Sequence, residues 1–441
     1  MVEELGSADD VRGWLAANVY APDPAAPPAD RVGVEAELFP FWIAPGGRPA
    51  ARLALVEIAA VVDDIPDAIR DPDRGDGRPS WRLDGALITE EPGAQIEVVG
   101  PPLADAHEAL AHLESIIDGL TAAFDAVGAG LAAVGLDRWS ADDEVPVQLD
   151  VPRYRAMTAY FGRRGGRYGH LLMCSSCSVQ VNLDLGPPGT ARRRWLLANL
   201  AAPVLTAAFS TSPTPQAVNG RALGWRRLDP TRTGVPPSLV TGQDDPLEHA
   251  LEDAWRADVL LVQREDGCHA GEPGWRFGNW VQDGHPRFGR PTTDDLATHL
   301  STLFPEARLR GYLEVRCIDQ LPRPWRDAAV ALVVGLFYDE AAVEEALALL
   351  LPHRPALPDL LERSAVAGLE DPIVRTLSGE VLEAALRGAG RLGLPEAAVA
   401  EAFLARYARQ GRHPADDLAT AHAQGPDRAF AWSRAAHRTG G

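Results

Sequence analysis

The sequence predicts an α+β fold in which helices are grouped around an antiparallel or mixed sheet. Two observations predict it. Short segments in which apolar residues alternate with acids or amides recur along the chain, and this alternation is typical of half-buried strands. Longer stretches with apolar residues at helical spacing lie between these segments and dominate the last quarter of the chain.

The first element is a helix at 7–19, because Ser7 is a good N-cap and Asp9 and Asp10 favour the first turn. The elements that follow are a Pro/Ala linker at 21–29, a strand at 31–43, a helix at 51–69, a Gly/Pro/Asp loop at 71–79, two strands within 81–99 joined at Pro92-Gly93, helices at 103–134 and 152–162, a strand at 171–185, a helix at 192–209, a loop-rich basic stretch at 210–242, a strand at 309–318 and helices beyond 324. We therefore expect a sheet region at 1–323 and a helical C-terminal region at 324–441 packed on the same domain.

Composition narrows the class of protein. The chain has 441 residues, 46% of them hydrophobic and 24% charged, as in an ordinary globular protein. A net charge of −20 argues against general binding to nucleic acid or to anionic membranes. Four cysteines, the absence of an apolar run of membrane-spanning length and an acidic N-terminus unlike a signal peptide predict a cytoplasmic protein.

The chain contains no lysine, so all 42 of its basic residues other than histidine are arginine. A P-loop lysine, a Schiff-base lysine and a kinase strand lysine are therefore excluded. If the protein handles a nucleotide, arginines and metal ions must hold its phosphates.

Four segments carry acids or amides two residues apart on an apolar background. They contain Glu35 and Glu37; Glu91, Gln95 and Glu97; Gln180, Asn182 and Asp184; and Glu314 and Arg316. Residues i and i+2 of a strand share a face, so each segment places polar groups side by side. Each segment alone is explained by a solvent-facing edge, but one shared polar face is the simpler account of all four. Because unpaired buried charges are costly, such a face requires cations, and oxygen-only clusters suit Mg²⁺ shared with a phosphate-bearing substrate.

Arginines crowd two places beside these segments. They are Arg153, Arg155, Arg163, Arg164 and Arg167 before the Gln180 segment, and Arg221, Arg226, Arg227 and Arg232 after the next helix. Arginine binds phosphate and carboxylate through paired hydrogen bonds. We expect most of them to be solvated or paired with the excess acids, and one or two to bind substrate.

Several motifs in this order resemble a known family. They read G-x-E-x-E, E-P-G-A-Q-x-E, R-Y-x-x-M, S-V-Q-V-N-L-D, R-x₃-W-x₃-D-P-x-R-T-G and Y-L-E-V-R, and they run from about Gly33 to Asp319. The order and spacing resemble the bacterial and plant glutamate–cysteine ligases, particularly the actinobacterial type that feeds ergothioneine synthesis. The resemblance implies a glutamine-synthetase-like fold, a curved and mainly antiparallel sheet that forms a funnel surrounded by helices.

The resemblance also implies a reaction. Members of the family join the side-chain carboxylate of L-glutamate to the amine of L-cysteine and cleave ATP to ADP and phosphate, with Mg²⁺ at the phosphates. Transferred position by position, it implies Glu35, Glu37, Glu91, Glu97 and Glu314 as metal ligands, Arg316 and Arg232 as catalytic residues, and Arg155, Gln180, Asn182, Asp184, Arg221 and Trp225 as substrate-binding residues.

Two positions depart from the family pattern. Ala94 replaces the second glycine of E-P-G-G-Q, and it would be strained if that position needs a positive φ. Cys317 stands where an aromatic residue is frequent. Neither change removes a charge, so the catalytic prediction stands, but the identity of the acceptor amine is left open.

Two alternatives to a glutamate–cysteine ligase stay open. One is a ligase of the same fold that uses a different amine or acid in a specialised pathway. The other is a non-catalytic descendant that binds nucleotide or amino acid as a regulator, which the presence of every motif acid disfavours, because an unneeded cluster of like charges lowers stability. The predicted partners are small-molecule substrates, and the predicted state is a monomer or a small homo-oligomer.

Overall fold

The computed structural model describes residues 3–21, 30–71, 79–140 and 145–435. The predicted linker at 21–29 and loop at 71–79 lie almost entirely outside these ranges. The strands are β1 (Val32–Ile43), β2 (Pro49–Arg52), β3 (Ile69–Arg70), β4 (Ser80–Leu83), β5 (Ala86–Glu90), β6 (Ile96–Val99), β7 (Ala129–Ala132), β8 (Ser178–Leu183), β9 (Leu261–Arg264), β10 (Gly267–Ala270), β11 (Ala307–Leu309) and β12 (Leu313–Asp319).

The helices are α1 (Ala8–Asn18), α2 (Leu55–Asp63), α3 (Ala106–Ala126), α4 (Pro152–Arg163), α5 (Arg167–Cys174), α6 (Pro188–Ala208), α7 (Gly220–Leu228), α8 (Pro230–Thr233), α9 (Pro237–Thr241), α10 (Pro246–Arg256), α11 (Phe277–Asp283), α12 (Thr293–Leu300), α13 (Trp325–Tyr338), α14 (Glu340–Leu350), α15 (Leu357–Val366), α16 (Pro372–Arg391), α17 (Ala397–Arg406), α18 (Pro414–Gln424) and α19 (Pro426–Ser433). Short 3-10 helices lie at Leu351–Ala356, Gly368–Glu370 and Ala408–Gln410. None of the described helices is long and apolar enough to cross a membrane.

The described residues form a 10-stranded sheet in the order β11-β12-β8-β1-β6-β5-β4-β3, with β2 and β7 also paired to β1. Every pairing in this sheet is antiparallel. Helices before, between and after these strands cover the sheet. The predicted α+β class, with a mainly antiparallel sheet surrounded by helices, is therefore confirmed.

The 12-residue strand β1 is the centre of the sheet. Its first half lies between β6 and β8, and its second half pairs with β2 and β7. Val34, Ala36 and Leu38 are fully buried in the main hydrophobic core, which α3 also enters. Because side chains alternate along a strand, Glu35 and Glu37 point to the opposite face. This alternation separates an apolar layer of helices from a polar face.

The helices beyond residue 324 share the main hydrophobic core with the sheet. Every residue of α13 from 326 to 338 is buried. α13 crosses α16 closely, since a Cβ added at Gly335 would lie 2.3 Å from the carbonyl oxygen of Ala385. A Cβ at Gly388 would lie 2.1 Å from the carbonyl oxygen of Gly335. The boundary at 323/324 stays a prediction, and the helices after it pack on the sheet region.

Two predicted elements are divided by glycine turns. The segment 81–99 holds β4, β5 and β6 instead of two strands, because Asp84 (φ 47°) and Gly85 (φ 81°) make a tight turn ahead of the one at Pro92-Gly93. The predicted helix at 103–134 ends as α3 at Ala126. Gly128 follows at φ 81°, a left-handed conformation that ends helices, and the chain continues as β7.

The remaining corrections concern short apolar runs, which do not distinguish a helix from a buried strand. Residues 171–174 of the predicted 171–185 strand belong to α5, and β8 begins only at Ser178. The predicted 51–69 helix begins with the end of β2, and its helical part is α2. The loop-rich stretch at 210–242 contains α7, α8 and α9, and 243–308, for which no element was predicted, contains α10, α11, α12, the β9–β10 hairpin and β11.

Candidate active site

Most of the polar groups predicted to share one sheet face do so. Glu37 lies directly opposite Glu97 across β1 and β6, and Glu35 lies opposite Gln180 across β1 and β8. Asn182 of β8 is in turn opposite Glu314 of β12. Residues directly opposite in an antiparallel pair have Cβ atoms about 4.5–5.5 Å apart. The acidic segments therefore meet on one face although they are distant in sequence.

A cavity of about 860 Å³ lies over this face. The predicted site residues that line it are Glu35, Glu37, Glu91, Glu97, Gln180, Arg221, Trp225, Glu314 and Arg316. Helix α4 and the loop before β11 add an apolar wall that includes Met157, Phe161 and Phe304. The cavity therefore combines carboxylates, arginines and an apolar wall, and it is large enough for substrates of small-molecule size.

Glu35 and Glu37 are the central carboxylates of this face. The side-chain amide of Asn182 donates to Oε1 of Glu35 at 2.8 Å. The backbone N–H and the hydroxyl of Ser178 donate to Oε2 of Glu37 at 2.6 and 3.0 Å. Burial, together with the negative charge of Glu97, raises the pKa of both carboxyls to about 7. Such carboxyls favour a cation, which would offset the repulsion between them.

When divalent cations are removed, we expect the thermal stability of the protein to fall as the pH rises. Glu35 and Glu37 bind a proton more tightly in the folded chain, since their pKa values are raised from 4.5 to about 7. The stability that this gives is complete below the unfolded pKa and is lost as the pH rises through the folded one. The test is to measure melting temperatures in chelator from pH 4.5 to just above pH 7. With rising pH they should fall more steeply for the natural protein than for a variant carrying Glu35→Gln and Glu37→Gln. Equal slopes would contradict the prediction.

Glu91 stands on the turn between β5 and β6, which is tightly held. Gln95 accepts from the backbone N–H of Gly93 at 3.0 Å and donates to the carbonyl oxygens of Met173 and Ser176 at 3.2 and 3.0 Å. Ala94 has φ 63°. Ala94 therefore does occupy a left-handed position, which favours glycine. The hydrogen bonds of Gln95 hold the turn in this conformation.

Glu314 differs from the other acids because arginines already neutralise it. Nε of Arg308 donates to Oε2 of Glu314 at 2.5 Å, and the second nitrogen donates to Oε1 at 3.0 Å. Arg316 lies 3.2 Å from the same carboxylate and donates to Gln180 at 2.8 Å. Although burial opposes ionisation, these arginines hold the pKa of Glu314 at about 2. In this arrangement Glu314 is a counter-charge for arginines, and its role as a metal ligand stays a prediction.

Three other predicted site residues lie away from the cavity. Arg155 is on the exposed side of α4 and pairs with Asp150 at 2.5 Å. Asp184 follows the end of β8, so it leaves the alternation of the strand and pairs with Arg31 at 3.2 Å.

Arg232 is the third of these residues. It is fully buried, pairs with Asp229 at 3.1 Å and donates to the carbonyl oxygen of Thr302 at 2.6 Å. These contacts hold α8 in place. The structure places Arg232, Arg155 and Asp184 outside the cavity lining. Their predicted roles stay predictions. Asn182 is not among the lining residues either, and it supports the site through Glu35.

Sequence reasoning missed several residues of the site. Arg308, Arg310 and Tyr312 line the cavity beside Glu314. Arg308 and Arg310 stand two residues apart just before Y-L-E-V-R. This two-residue spacing is typical of one face of a strand and could have identified both arginines. Trp14 of α1 and Phe304 also line the cavity, and no local pattern distinguishes them from ordinary apolar residues.

A metal ion would find suitable donors here. In the ranges that the structure describes, no three acid, histidine or cysteine side chains already form a closed metal site. The donors on the cavity side of the sheet are carboxylate oxygens, which hard cations such as Mg²⁺ prefer. The raised pKa values of Glu35 and Glu37 come from burial and the negative charge of Glu97, which Arg316, Arg221 and nearby hydrogen bonds offset only in part. The residues therefore fit an oxygen-coordinated divalent cation.

Comparison with known proteins identifies the family of the chain. The family model for glutamate–cysteine ligase family 2 (GCS2) matches residues 31–431. The chain belongs to glutamate–cysteine ligase family 2. The resemblance seen in its motifs is confirmed, and the protein is accordingly an enzyme of the ligase class.

The relatives of this glutamate–cysteine ligase family member are bacterial and plant proteins. It is 32% identical over 427 residues to the glutamate–cysteine ligase EgtA of Mycolicibacterium smegmatis, covering 94% of this chain and 92% of the relative. It is 31% identical over 346 residues to the chloroplastic glutamate–cysteine ligase of Brassica juncea, covering 75% of this chain and 66% of the relative. A solved glutamate–cysteine ligase from Francisella tularensis in complex with AMP is 11% identical with a TM-score of 0.40, covering 92% of this chain and 87% of that chain.

Proposed function

We propose that this enzyme joins the γ-carboxylate of L-glutamate to the amine of L-cysteine and cleaves ATP. A carboxylate oxygen of glutamate attacks the γ-phosphorus, and ADP leaves, which gives γ-glutamyl phosphate. The nitrogen of cysteine then attacks the carbonyl carbon of this mixed anhydride. Phosphate leaves, the nitrogen loses a proton, and γ-glutamylcysteine forms.

The observation that carries the proposal is the acidic sheet face beside buried arginines in one cavity. Glu35, Glu37, Glu91 and Glu97 would hold Mg²⁺, which when bound offsets the charge of the phosphate oxygens. The reaction needs positioning and charge neutralisation and requires no nucleophilic side chain. A chain without lysine must use arginine and metal for this purpose.

Arg316, Arg308 and Arg221 are among the arginines that line the cavity beside the acids. Arg316 is positioned by Gln180 and Glu314. Arg221 is also fixed, because it donates to the carbonyl oxygen of Arg316 at 3.0 Å. We assign Arg316 and Arg308 to the transferred phosphoryl group and Arg221 with Trp225 to the carboxylates of the amino-acid substrates. Their fixed orientation lowers the reorganisation needed during reaction.

The apolar wall has a role in protecting the intermediate. The rings of Trp225 and Phe304 lie 5.3 Å apart, and Met157 and Phe161 continue the same wall. An acyl phosphate is hydrolysed by water, so a wall without polar groups favours transfer to the amine. The same wall would receive the side chain of the acceptor.

We also propose a cytoplasmic enzyme whose product serves a low-molecular-mass thiol such as ergothioneine. The motif resemblance to the actinobacterial type supports this assignment. Free cysteines at Cys174, Cys177, Cys268 and Cys317 are consistent with a reducing compartment.

The test is release of ADP in the presence of ATP, Mg²⁺ and L-glutamate, with each amino acid added singly as acceptor. We expect cysteine to stimulate release most and mass spectrometry to detect γ-glutamylcysteine. Reactions without glutamate serve as the control for ATP hydrolysis. Stronger stimulation by another amine would change the acceptor, and no stimulation by any amine would refute the proposed reaction.

A further inference from the structure

Arg52, at the end of β2, is a buried arginine with partners in several elements. Its side chain is 5% exposed and lies 3.2 Å from Asp137, whose side chain is 1% exposed. It donates to the carbonyl oxygen of Gly93 at 2.5 Å and to that of Cys174 at 3.4 Å. Arg52 is not among the residues that line the cavity. Any effect of Arg52 on the site must therefore pass through other residues.

The guanidinium of Arg52 is also fixed by two aromatic rings. Its central carbon lies 4.7 Å from the ring centre of Phe39 and 5.7 Å from that of Phe41, both on β1. An arginine over an aromatic face is attracted to the ring quadrupole. The guanidinium therefore has one orientation, set by β1 on one side and by carbonyl oxygens on the other.

One of the two carbonyl oxygens that Arg52 binds belongs to a segment that carries an acid of the site, and the other belongs to a segment that holds a second acid in place. Gly93 is on the turn that carries Glu91. Cys174 begins the segment 174–178, and Ser178 at its end holds the carboxylate of Glu37 through two hydrogen bonds. The two segments touch without an intervening side chain, since a Cβ at Gly93 would lie 2.2 Å from the carbonyl oxygen of Cys174.

Two carbonyl groups that approach the same place repel each other unless a positive donor satisfies both. The planar fork of arginine can do this while it also pairs with a carboxylate. We propose that Arg52 is a positioning residue that sets the distance between Glu91 and Glu37. The inference rests on the proposed function, since it assumes that these acids bind the metal. It adds a residue that no motif of the site contains.

The test is metal binding measured directly, with Mn²⁺ as a spectroscopic probe for Mg²⁺. Electron paramagnetic resonance gives the dissociation constant of Mn²⁺ in the presence of a non-hydrolysable ATP analogue. For Arg52→Gln we expect binding to weaken by about 10–100-fold, the range seen when a residue that orients metal ligands is lost. In activity assays the apparent KM for Mg²⁺ should rise while the KM for glutamate changes little.

Arg264→Gln is the matched control. Arg264 pairs with Asp295 at 2.6 Å, donates to the carbonyl oxygen of Gln263 at 2.6 Å and lies 5.7 Å from the ring centres of Trp280 and Phe288. It thus makes the same kinds of contact as Arg52, and none of these partners lines the cavity. Its loss should lower the melting temperature and leave the Mn²⁺ affinity unchanged.

Arg52→Lys keeps the charge but lacks the fork, and we expect its Mn²⁺ affinity to lie between those of the natural protein and Arg52→Gln. Equal Mn²⁺ affinity in Arg52→Gln and the natural protein would overturn the inference. So would an equal loss of affinity in Arg264→Gln. Failure of the natural protein to bind Mn²⁺ with the nucleotide would instead overturn the metal site of the proposed function, and the inference with it.

Discussion

Replacing Glu37 with glutamine should lower turnover strongly without destabilising the protein. Loss of one preorganised electrostatic group in an active site typically lowers kcat by about 10²–10³-fold. The folded chain, in contrast, loses a repulsion, because Glu37 lies opposite Glu97 and its pKa is raised to about 7. The glutamine carbonyl can still accept the hydrogen bonds of Ser178. We therefore expect an equal or higher melting temperature at pH 8 in the absence of metal.

The measurement is kcat at saturating Mg²⁺ and ATP together with the melting temperature in chelator. Asp184→Asn is a suitable control, since Asp184 also lies in one of the family motifs but pairs with Arg31 outside the cavity. Its turnover should stay within about twofold, as for surface changes remote from a site. Substantial activity in the Glu37→Gln variant would contradict the assignment of Glu37 as a metal ligand.

The second large effect concerns stability. Glu314→Gln would leave Arg308 and Arg316 facing each other without their shared counter-charge. Breaking a buried ion pair by removing one partner costs about 3–5 kcal/mol, so we expect a loss of that size in the free energy of unfolding. The pKa of Glu314 is lowered from 4.5 to about 2. Its stabilising contribution is therefore complete above pH 4.5 and is lost as the pH falls from 4.5 through about 2.

Urea unfolding at neutral pH measures this loss. Glu345→Gln provides the contrast, because Glu345 pairs with Arg387 at 2.7 Å while both side chains are nearly half exposed. That change should cost less than about 1 kcal/mol. If Glu314→Gln were as mild as Glu345→Gln, the arginines would not depend on Glu314, and its assignment as a counter-charge would be wrong.

The sequence was sufficient to place the acids of the site. Two-residue spacing in a strand fixes which side chains share a face, and the need to bury Val34, Ala36 and Leu38 fixes which face that is. The pairing of Glu37 with Glu97 and of Glu35 with Gln180 follows once the strands are neighbours. The order of motifs then gave the family without any coordinates.

Other features could not be predicted because they depend on partners distant in sequence. Whether an arginine reaches the cavity depends on which acid it pairs with in the folded chain. Arg155 pairs with Asp150 and Arg232 pairs with Asp229, and both pairs lie away from the cavity. Arg52 lies in a segment predicted to be helical, and its role follows only from the approach of Gly93 to Cys174. Helix α5 was predicted as strand because its short apolar run fits both structures.

The buried helix α13 has a consequence for how such enzymes can diverge. Because every residue from 326 to 338 is buried and α13 shares the main hydrophobic core with the sheet, the C-terminal helices and the sheet must change together. A chimera that exchanged only the C-terminal region between relatives would bring together surfaces that had not evolved to fit. Sequence drift in this family should therefore be concentrated on the exposed sides of the outer helices, while Gly335 and Gly388 are constrained by the helix crossing.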